Sequence, residues 1–148
     1  MSESYDVAII GAGPGGYVAG IRAGQLGLSP IVIDKSPDLG GVCLNWGCIP
    51  TKALIKNAEV VEAVVRHGAD FGIEFEKVTA DWGKAVARSQ RVRRRMNKGI
   101  AGLFKKYGVA HLQGEARFTD AHRLEVSTAD GGQEIEAAHV VIATGSHS

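Results

Sequence analysis

Tyr5-Asp6-Val7-Ala8-Ile9-Ile10-Gly11-Ala12-Gly13-Pro14-Gly15-Gly16 decides the fold of this 148-residue chain. The apolar run Val7 to Ile10 enters a glycine cluster without a break, which suits a central parallel strand buried on both faces. Gly11 allows a tight turn, Gly13 lets the backbone approach a pyrophosphate, and Gly16 permits close packing of helix on strand. The spacing predicts a helix over Tyr17 to Leu26, stopped by Gly27, whose N-terminus favours negative charge. Ser29 to Asp34 reads as the next strand, so the first unit is β-α-β. Asp34 lies 18 residues beyond Gly16, at a strand end where a carboxylate can accept hydrogen bonds from ribose hydroxyls. A bare GxGxxG is weak evidence, but here strand, glycines, helix, strand and terminal acid agree on dinucleotide binding. A plain glycine turn between buried elements would leave the third glycine and the acid unexplained.

Working outward, Gly40-Gly41-Val42-Cys43-Leu44-Asn45-Trp46-Gly47-Cys48-Ile49-Pro50-Thr51-Lys52 holds both cysteines of the chain, five positions apart. In a regular helix five residues rise roughly 7.5 Å, whereas a disulfide wants its Cα atoms within about 7 Å. The segment is therefore expected to be distorted. Gly47 permits unusual dihedrals, Pro50 disturbs the helical ladder, and Gly40 and Gly41 allow a tight turn close to a ligand. Ala53 to Val65 reads as a helix. If it starts near the cysteines, its positive end and Lys52 favour a thiolate there. The alternatives are a structural disulfide, which would stabilise little over so short a loop, or two thiols buried as small hydrophobes. A redox-active pair is the preferred reading.

The length fits one domain, with 45% hydrophobic residues and a net charge of +1 that argues for neither nucleic acid nor membrane binding. Neither a signal peptide nor a membrane-spanning stretch is evident. With no multi-bridge cysteine framework, a reducing, cytoplasmic location is expected. The helix from Ala53 is read as continuing to His67 with Val60, Val61, Val64 and Val65 as its buried stripe, followed by a loop or short extended piece over Gly68 to Val78. A second long helix is expected from Thr79 or Asp81 to Tyr107, with Trp82, Val86, Val92, Met96, Ile100 and Leu103 as its core face. Its basic residues (Arg88, Arg91, Arg93, Arg94, Arg95, Lys98, Lys105, Lys106) lack interleaved aromatics and read as a solvated face rather than a nucleic-acid surface. Val109 to Phe118 reads as a strand interrupted at Gly114. Arg123 to Ser127 and Gln133 to Glu136 read as a hairpin turning at Asp130-Gly131-Gly132. His139 to Thr144 is a further buried-type strand. His67, His111, His122, His139 and His147 show no metal-ligand spacing; they are taken as surface or strand residues, and no metal is expected.

Three separated segments, Ile10 to Gly16, Gly40 to Lys52 and Ala143-Thr144-Gly145-Ser146, resemble the N-terminal part of the flavin-dependent disulfide oxidoreductases. That group includes dihydrolipoyl dehydrogenases, glutathione reductases and mercuric reductases. The run from Gly41 to Lys52 looks most like the dihydrolipoyl dehydrogenase branch, and the resemblance spans essentially the whole chain. It implies an α/β fold: a Rossmann-like three-layer FAD/NAD(P)-binding domain over residues 1–148, with a parallel sheet and a small β-meander. FAD would be held by Gly11, Gly13, Pro14, Gly15 and Gly16 at its pyrophosphate and by Asp34 and Lys35 at its ribose. Backbone near Ala116 would meet the adenine, and Gly40, Gly41, Val42, Thr144, Gly145 and Ser146 would lie close to the cofactor. Asp34 departs from the glutamate usual there, which shortens the reach of the charge. Cys48 would face the flavin and form a thiolate–flavin charge-transfer pair, Cys43 would exchange with the substrate disulfide, and Lys52 would tune the flavin's charge. The implied reaction is dihydrolipoamide plus NAD to lipoamide plus NADH, with lipoyl domains of 2-oxo acid dehydrogenase complexes as partners and a homodimer as the working form. The NAD-binding and dimer-interface domains, including the acid–base pair, are not among these 148 residues. A fragment unable to turn over alone is expected. The alternatives are a non-catalytic FAD-binding piece or the equivalent part of a mercuric or glutathione reductase.

Overall fold

The computed structural model describes residues 3–146; His147 lies outside them. In chain order the elements are β1 (Glu3–Ile10), α1 (Pro14–Gln25), β2 (Pro30–Asp34), α2 (Gly41–Asn45), α3 (Cys48–His67), a 3-10 turn (Gly68–Phe71), α4 (Trp82–Lys106), β3 (Ala110–Gln113), β4 (Glu115–Phe118), β5 (Arg123–Thr128) and β6 (Gly131–Ile142). They build a six-stranded sheet in the order β3-β2-β1-β6-β5-β4. β1 pairs parallel with β2 and β6, β2 parallel with β3, while β4-β5-β6 is an antiparallel meander.

Alternation along the strands makes two cores. Ile9 and Val32 face the helices, where they join Leu39, Leu44, Ile100, Phe104 and Val109. Ala8, Ile31 and Ile33 face the other way, against Leu124, Val126, Ile135 and Ala137 of the meander. Helices, parallel sheet and meander are thus the three layers expected from the sequence. A central strand must be apolar on successive residues because both of its faces are covered. The break at Gly114 is where the chain leaves the parallel sheet: a Cβ there would stand 2.6 Å from Val126 Cγ1.

Several expectations need correction. α3 begins at Cys48, not Ala53, because a proline in the first helical turn removes a donor that has no partner there anyway. Val60, Val61 and Val65 of α3 are exposed, and so are Trp82, Met96 and Leu103 of α4. On α4 the buried residues are Ser89, against α3, and Ile100 and Phe104, in the core on the sheet. The basic face of α4 is not uniformly solvated either, since the Arg93 side chain is 18% exposed and ion-paired to Asp38 at 2.7 Å. Finally, the two strands expected over Gln133 to Glu136 and His139 to Thr144 are one strand, β6. It runs beside β1 from Ile135 to Ile142 and uses its first half to pair with β5 as well.

α4 starts where the Asp81 side chain accepts from the Lys84 N–H at 3.0 Å, the only side-chain N-cap among the described helices. Asp81→Ala is expected to cost about 1 kcal/mol, read as a lower urea midpoint; an unchanged midpoint would remove the cap from the account.

Candidate functional site

The parallel strands end together at Ile10, Asp34, Gln113 and Ile142, the edge of an open α/β sheet at which ligands bind. The chain leaves β1 through Gly11, whose φ of +107° suits glycine. A Cβ on Gly11 would overlap the Ala143 carbonyl, and one on Gly16 would overlap the carbonyl of Gly11 itself. α1 therefore sits directly on the turn. Its N-cap is Gly13, in extended conformation and with no side-chain cap, so the first amides of α1 carry no side-chain partner.

A second glycine turn lies against the first. The Gly40 N–H donates to the Ala12 carbonyl at 2.8 Å, and a Cβ on Gly41 would stand 2.6 Å from the Gly13 Cα. Asp34 braces the arrangement. Its Oδ2 accepts from the Ala12 N–H at 2.6 Å and its Oδ1 from the Ser36 N–H at 2.8 Å. On the far side, the Gly114 N–H donates to the Asp34 carbonyl at 2.9 Å and the Ala143 N–H to Ile10 at 2.8 Å. The result is a cradle walled by backbone, with one carboxylate at its end.

The cysteines sit next to that cradle. Cys43 lies in α2, which begins at Gly41, and Cys48 is the first residue of α3. Between them Trp46 ends one helix and Gly47, at φ −116° and ψ −106°, starts the other. This is the distortion that the five-residue spacing requires. Both cysteines carry free thiols, Cys43 partly buried and Cys48 exposed. A hydrogen bond to Cys48 holds the Cys43 thiol above the ordinary thiol range, helped by partial burial and by the Cys48 charge; Lys52 pulls the other way without prevailing. Replacing Cys48 with alanine removes the hydrogen bond and the charge. Alkylation of Cys43 by iodoacetamide at about pH 8 is then expected to speed up several-fold, because more of it is thiolate. An unchanged rate would show that Cys48 is not the cause.

The structure brings Gly11 to Gly16, Asp34, Gly40 to Val42 and the start of the Thr144–Ser146 segment to one edge of the sheet, with Cys43, Cys48 and Lys52 alongside. Lys35 directly follows Asp34, and Ala116 lies on β4, in the meander layer. His111, which the sequence reads as a surface or strand residue, lies on β3 opposite Val32. It lies edge-on to Phe104, 6.3 Å between ring centroids. Burial lowers its pKa, while the charge of Asp34 opposes that. Only strand register brings it near Asp34, so no local pattern could have marked it.

A Rossmann-type α/β domain, with helices on one face of its parallel sheet and a β-meander on the other, and a dithiol beside its glycine turns, is the class that this fold defines. Within that class, the chain belongs to the family described as pyridine nucleotide-disulphide oxidoreductase, whose sequence profile matches residues 5–148. It is 48% identical over 143 residues to the dihydrolipoyl dehydrogenase of Mycobacterium tuberculosis (strain ATCC 25618 / H37Rv), covering 96% of this chain and 30% of that protein. It is 41% identical over 145 residues to the dihydrolipoyl dehydrogenase of Chlorobaculum parvum, covering 97% and 30%. The leghemoglobin reductase of Vigna unguiculata is 42% identical over 146 residues, covering 98% and 28%. Among solved structures, the HOCl-induced flavoprotein disulfide reductase RclA from Escherichia coli, in a Cu(II) complex, superimposes with a TM-score of 0.80 at 25% identity, over 100% of this chain and 30% of that one. The chain therefore spans about 30% of the length of these relatives. No helix among the described residues is long and apolar enough to cross a membrane.

Proposed function

We propose that this chain is the flavin- and disulfide-bearing part of a dihydrolipoyl dehydrogenase. The observation that carries the reading is the contact between the two glycine turns, Gly13 against Gly41, from which α2 leads within two residues to Cys43. Glycine turns in which a Cβ at Gly11, Gly16 or Gly41 would strike backbone, uncapped helix amides and a terminal carboxylate together fit a dinucleotide such as FAD. Gly11, Gly13, Pro14, Gly15 and Gly16 would hold its pyrophosphate, and Asp34 with Lys35 its ribose. Ala116 would meet the adenine, and Gly40 to Val42 with Thr144 to Ser146 would close around it. Bound FAD supplies a two-electron carrier that side chains cannot provide.

The chain's own residues perform the sulfur chemistry. In the oxidised pair, a substrate thiolate attacks the Cys43 sulfur, forming a mixed disulfide and releasing Cys48 as thiolate. That charge forms at the first residue of α3, where orphan amides and Lys52, one turn on, stabilise it. The second substrate thiol then attacks the substrate sulfur of the mixed disulfide, and Cys43 leaves and takes up a proton, as its raised pKa favours. In the whole protein this serves dihydrolipoamide plus NAD to lipoamide plus NADH, on lipoyl domains of 2-oxo acid dehydrogenase complexes and in a homodimer. The NAD and dimer-interface domains belong to the part of the relatives' length that this chain does not match.

The test is flavin uptake followed by reduction. The purified chain is expected to quench FAD fluorescence on binding and, on two-electron reduction with dithionite, to develop a long-wavelength thiolate–flavin absorbance. Failure to bind FAD would sink the cradle, and binding without the band would leave only a flavin-binding module. Dihydrolipoamide-dependent NADH formation by these 148 residues alone would overturn the assignment of the remaining functions to other domains.

A further inference from the structure

The two cysteine-bearing helices are joined only by Trp46 and Gly47, yet both are fastened to the same third element. On the Cys43 side, the buried Asn45 ends α2. Its Nδ2 donates to the carbonyls of Leu39 at 3.2 Å and Gly41 at 3.0 Å. Its Oδ1 accepts from Arg93 Nη1 at 3.0 Å and from Asn97 Nδ2 at 3.3 Å. Arg93 also binds Asp38 at 2.7 Å, and Asn97 donates to the Leu39 carbonyl. On the Cys48 side, the Ser89 hydroxyl, 2% exposed, donates to the Pro50 carbonyl at 3.3 Å. Arg88 Nη1 donates to the Ala53 carbonyl and to Asn57 Oδ1, each at 3.0 Å. Arg88, Ser89, Arg93 and Asn97 all belong to α4.

We propose that α4 is a splint that sets the distance between the two sulfurs, with Arg93 as the positioning residue on the Cys43 side, acting through Asn45. The proposal rests on the reading of Cys43 and Cys48 as a redox pair. Both bonds use the two hydrogens of Arg93 Nη1, held in the guanidinium plane, while Nε donates to Gln90 Oε1 at 3.0 Å and fixes that plane. Two thiols held close form a disulfide more favourably than two thiols that wander, through effective concentration. The equilibrium that reads this is the reduced pair plus glutathione disulfide giving the Cys43–Cys48 disulfide plus two glutathione thiols. Two electrons and two protons pass to glutathione.

The 148-residue chain is equilibrated at neutral pH in buffers of varied glutathione ratio, quenched, alkylated and weighed by mass spectrometry. Arg93→Met is expected to lower the equilibrium constant about tenfold, a potential some 30 mV less negative. Arg93→Lys, which keeps the charge but not the fork, should fall between it and wild type. Asp81→Ala, at the far end of α4, should lower the urea midpoint and leave the glutathione equilibrium where it was, separating splinting from stability. Arg93→Met with a wild-type constant would overturn the splint while leaving the dithiol intact. A wild-type chain forming no intramolecular disulfide at any ratio would bring down the redox reading and the splint together. If Arg93→Met does not fold, Ser89→Ala decides by the same criterion, with a smaller shift in the same direction supporting the splint and no shift rejecting it.

Discussion

Gly16→Ala is expected to destabilise the chain by about 3 kcal/mol, the largest effect that one added methyl group should have at the site. The new Cβ would overlap the Gly11 carbonyl and stand 2.8 Å from its carbon and 3.4 Å from Ile9 Cγ2. Gly11 cannot yield readily, since its N–H is tied to Ile33 at 2.7 Å and its other side is closed by Ala143. α1 must therefore lift off β1, which opens the cradle as well. A drop of about 1–2 M in the urea midpoint follows from the usual slope for a chain of this size, with flavin binding lost in parallel. Gly99→Ala makes the matched comparison. It adds the same methyl within α4 with nothing inside 4 Å, and should stabilise by roughly 0.5–1 kcal/mol. Midpoints moving the same way in both variants would contradict the packing argument.

Asp34→Ala is expected to cost about 3 kcal/mol in stability and to weaken FAD binding on the order of 100-fold. Two backbone donors, Ala12 N–H and Ser36 N–H, lose a charged acceptor. Hydrogen bonds to charged groups are worth roughly 1.5–3 kcal/mol each and do not add fully. Ala12 is fully buried, so water cannot replace the lost partner cheaply. Asp34→Asn should fall between, because one amide oxygen can serve one donor while the amide NH₂ faces the other. Urea unfolding and flavin fluorescence read the two effects. Full affinity in the alanine variant would mean that the carboxylate supports the turn and does nothing for the ligand.

The β1-α1-β2 unit was legible because each of its signals is local: an apolar strand, glycines at fixed offsets, and an acid at the next strand end. The kink between Cys43 and Cys48 followed from helix rise alone. The apolar stripes of α3 and α4 were misread, although their periodicity is real. Periodicity tells which residues share a face, not what comes to cover that face, and among the described residues nothing covers Val60, Val65 or Trp82. Arg93 reads as solvent-facing in the sequence because no aromatic residue interleaves with the basic run around it. Its partners, Asp38 and Asn45, lie 55 and 48 residues away.

Short-range chemistry written in the chain thus determined the class of fold, the place of the glycine turn and the need for a bent dithiol segment, since each depends on neighbours within a few bonds or a single helical turn. Tertiary structure alone decided that a second glycine turn would meet the first, that Asp34 would brace Ala12, and that α4 would grip both cysteine-bearing helices. Those contacts join residues that the chain holds far apart, and they form only when burial of the two faces of the sheet brings the helices down onto it.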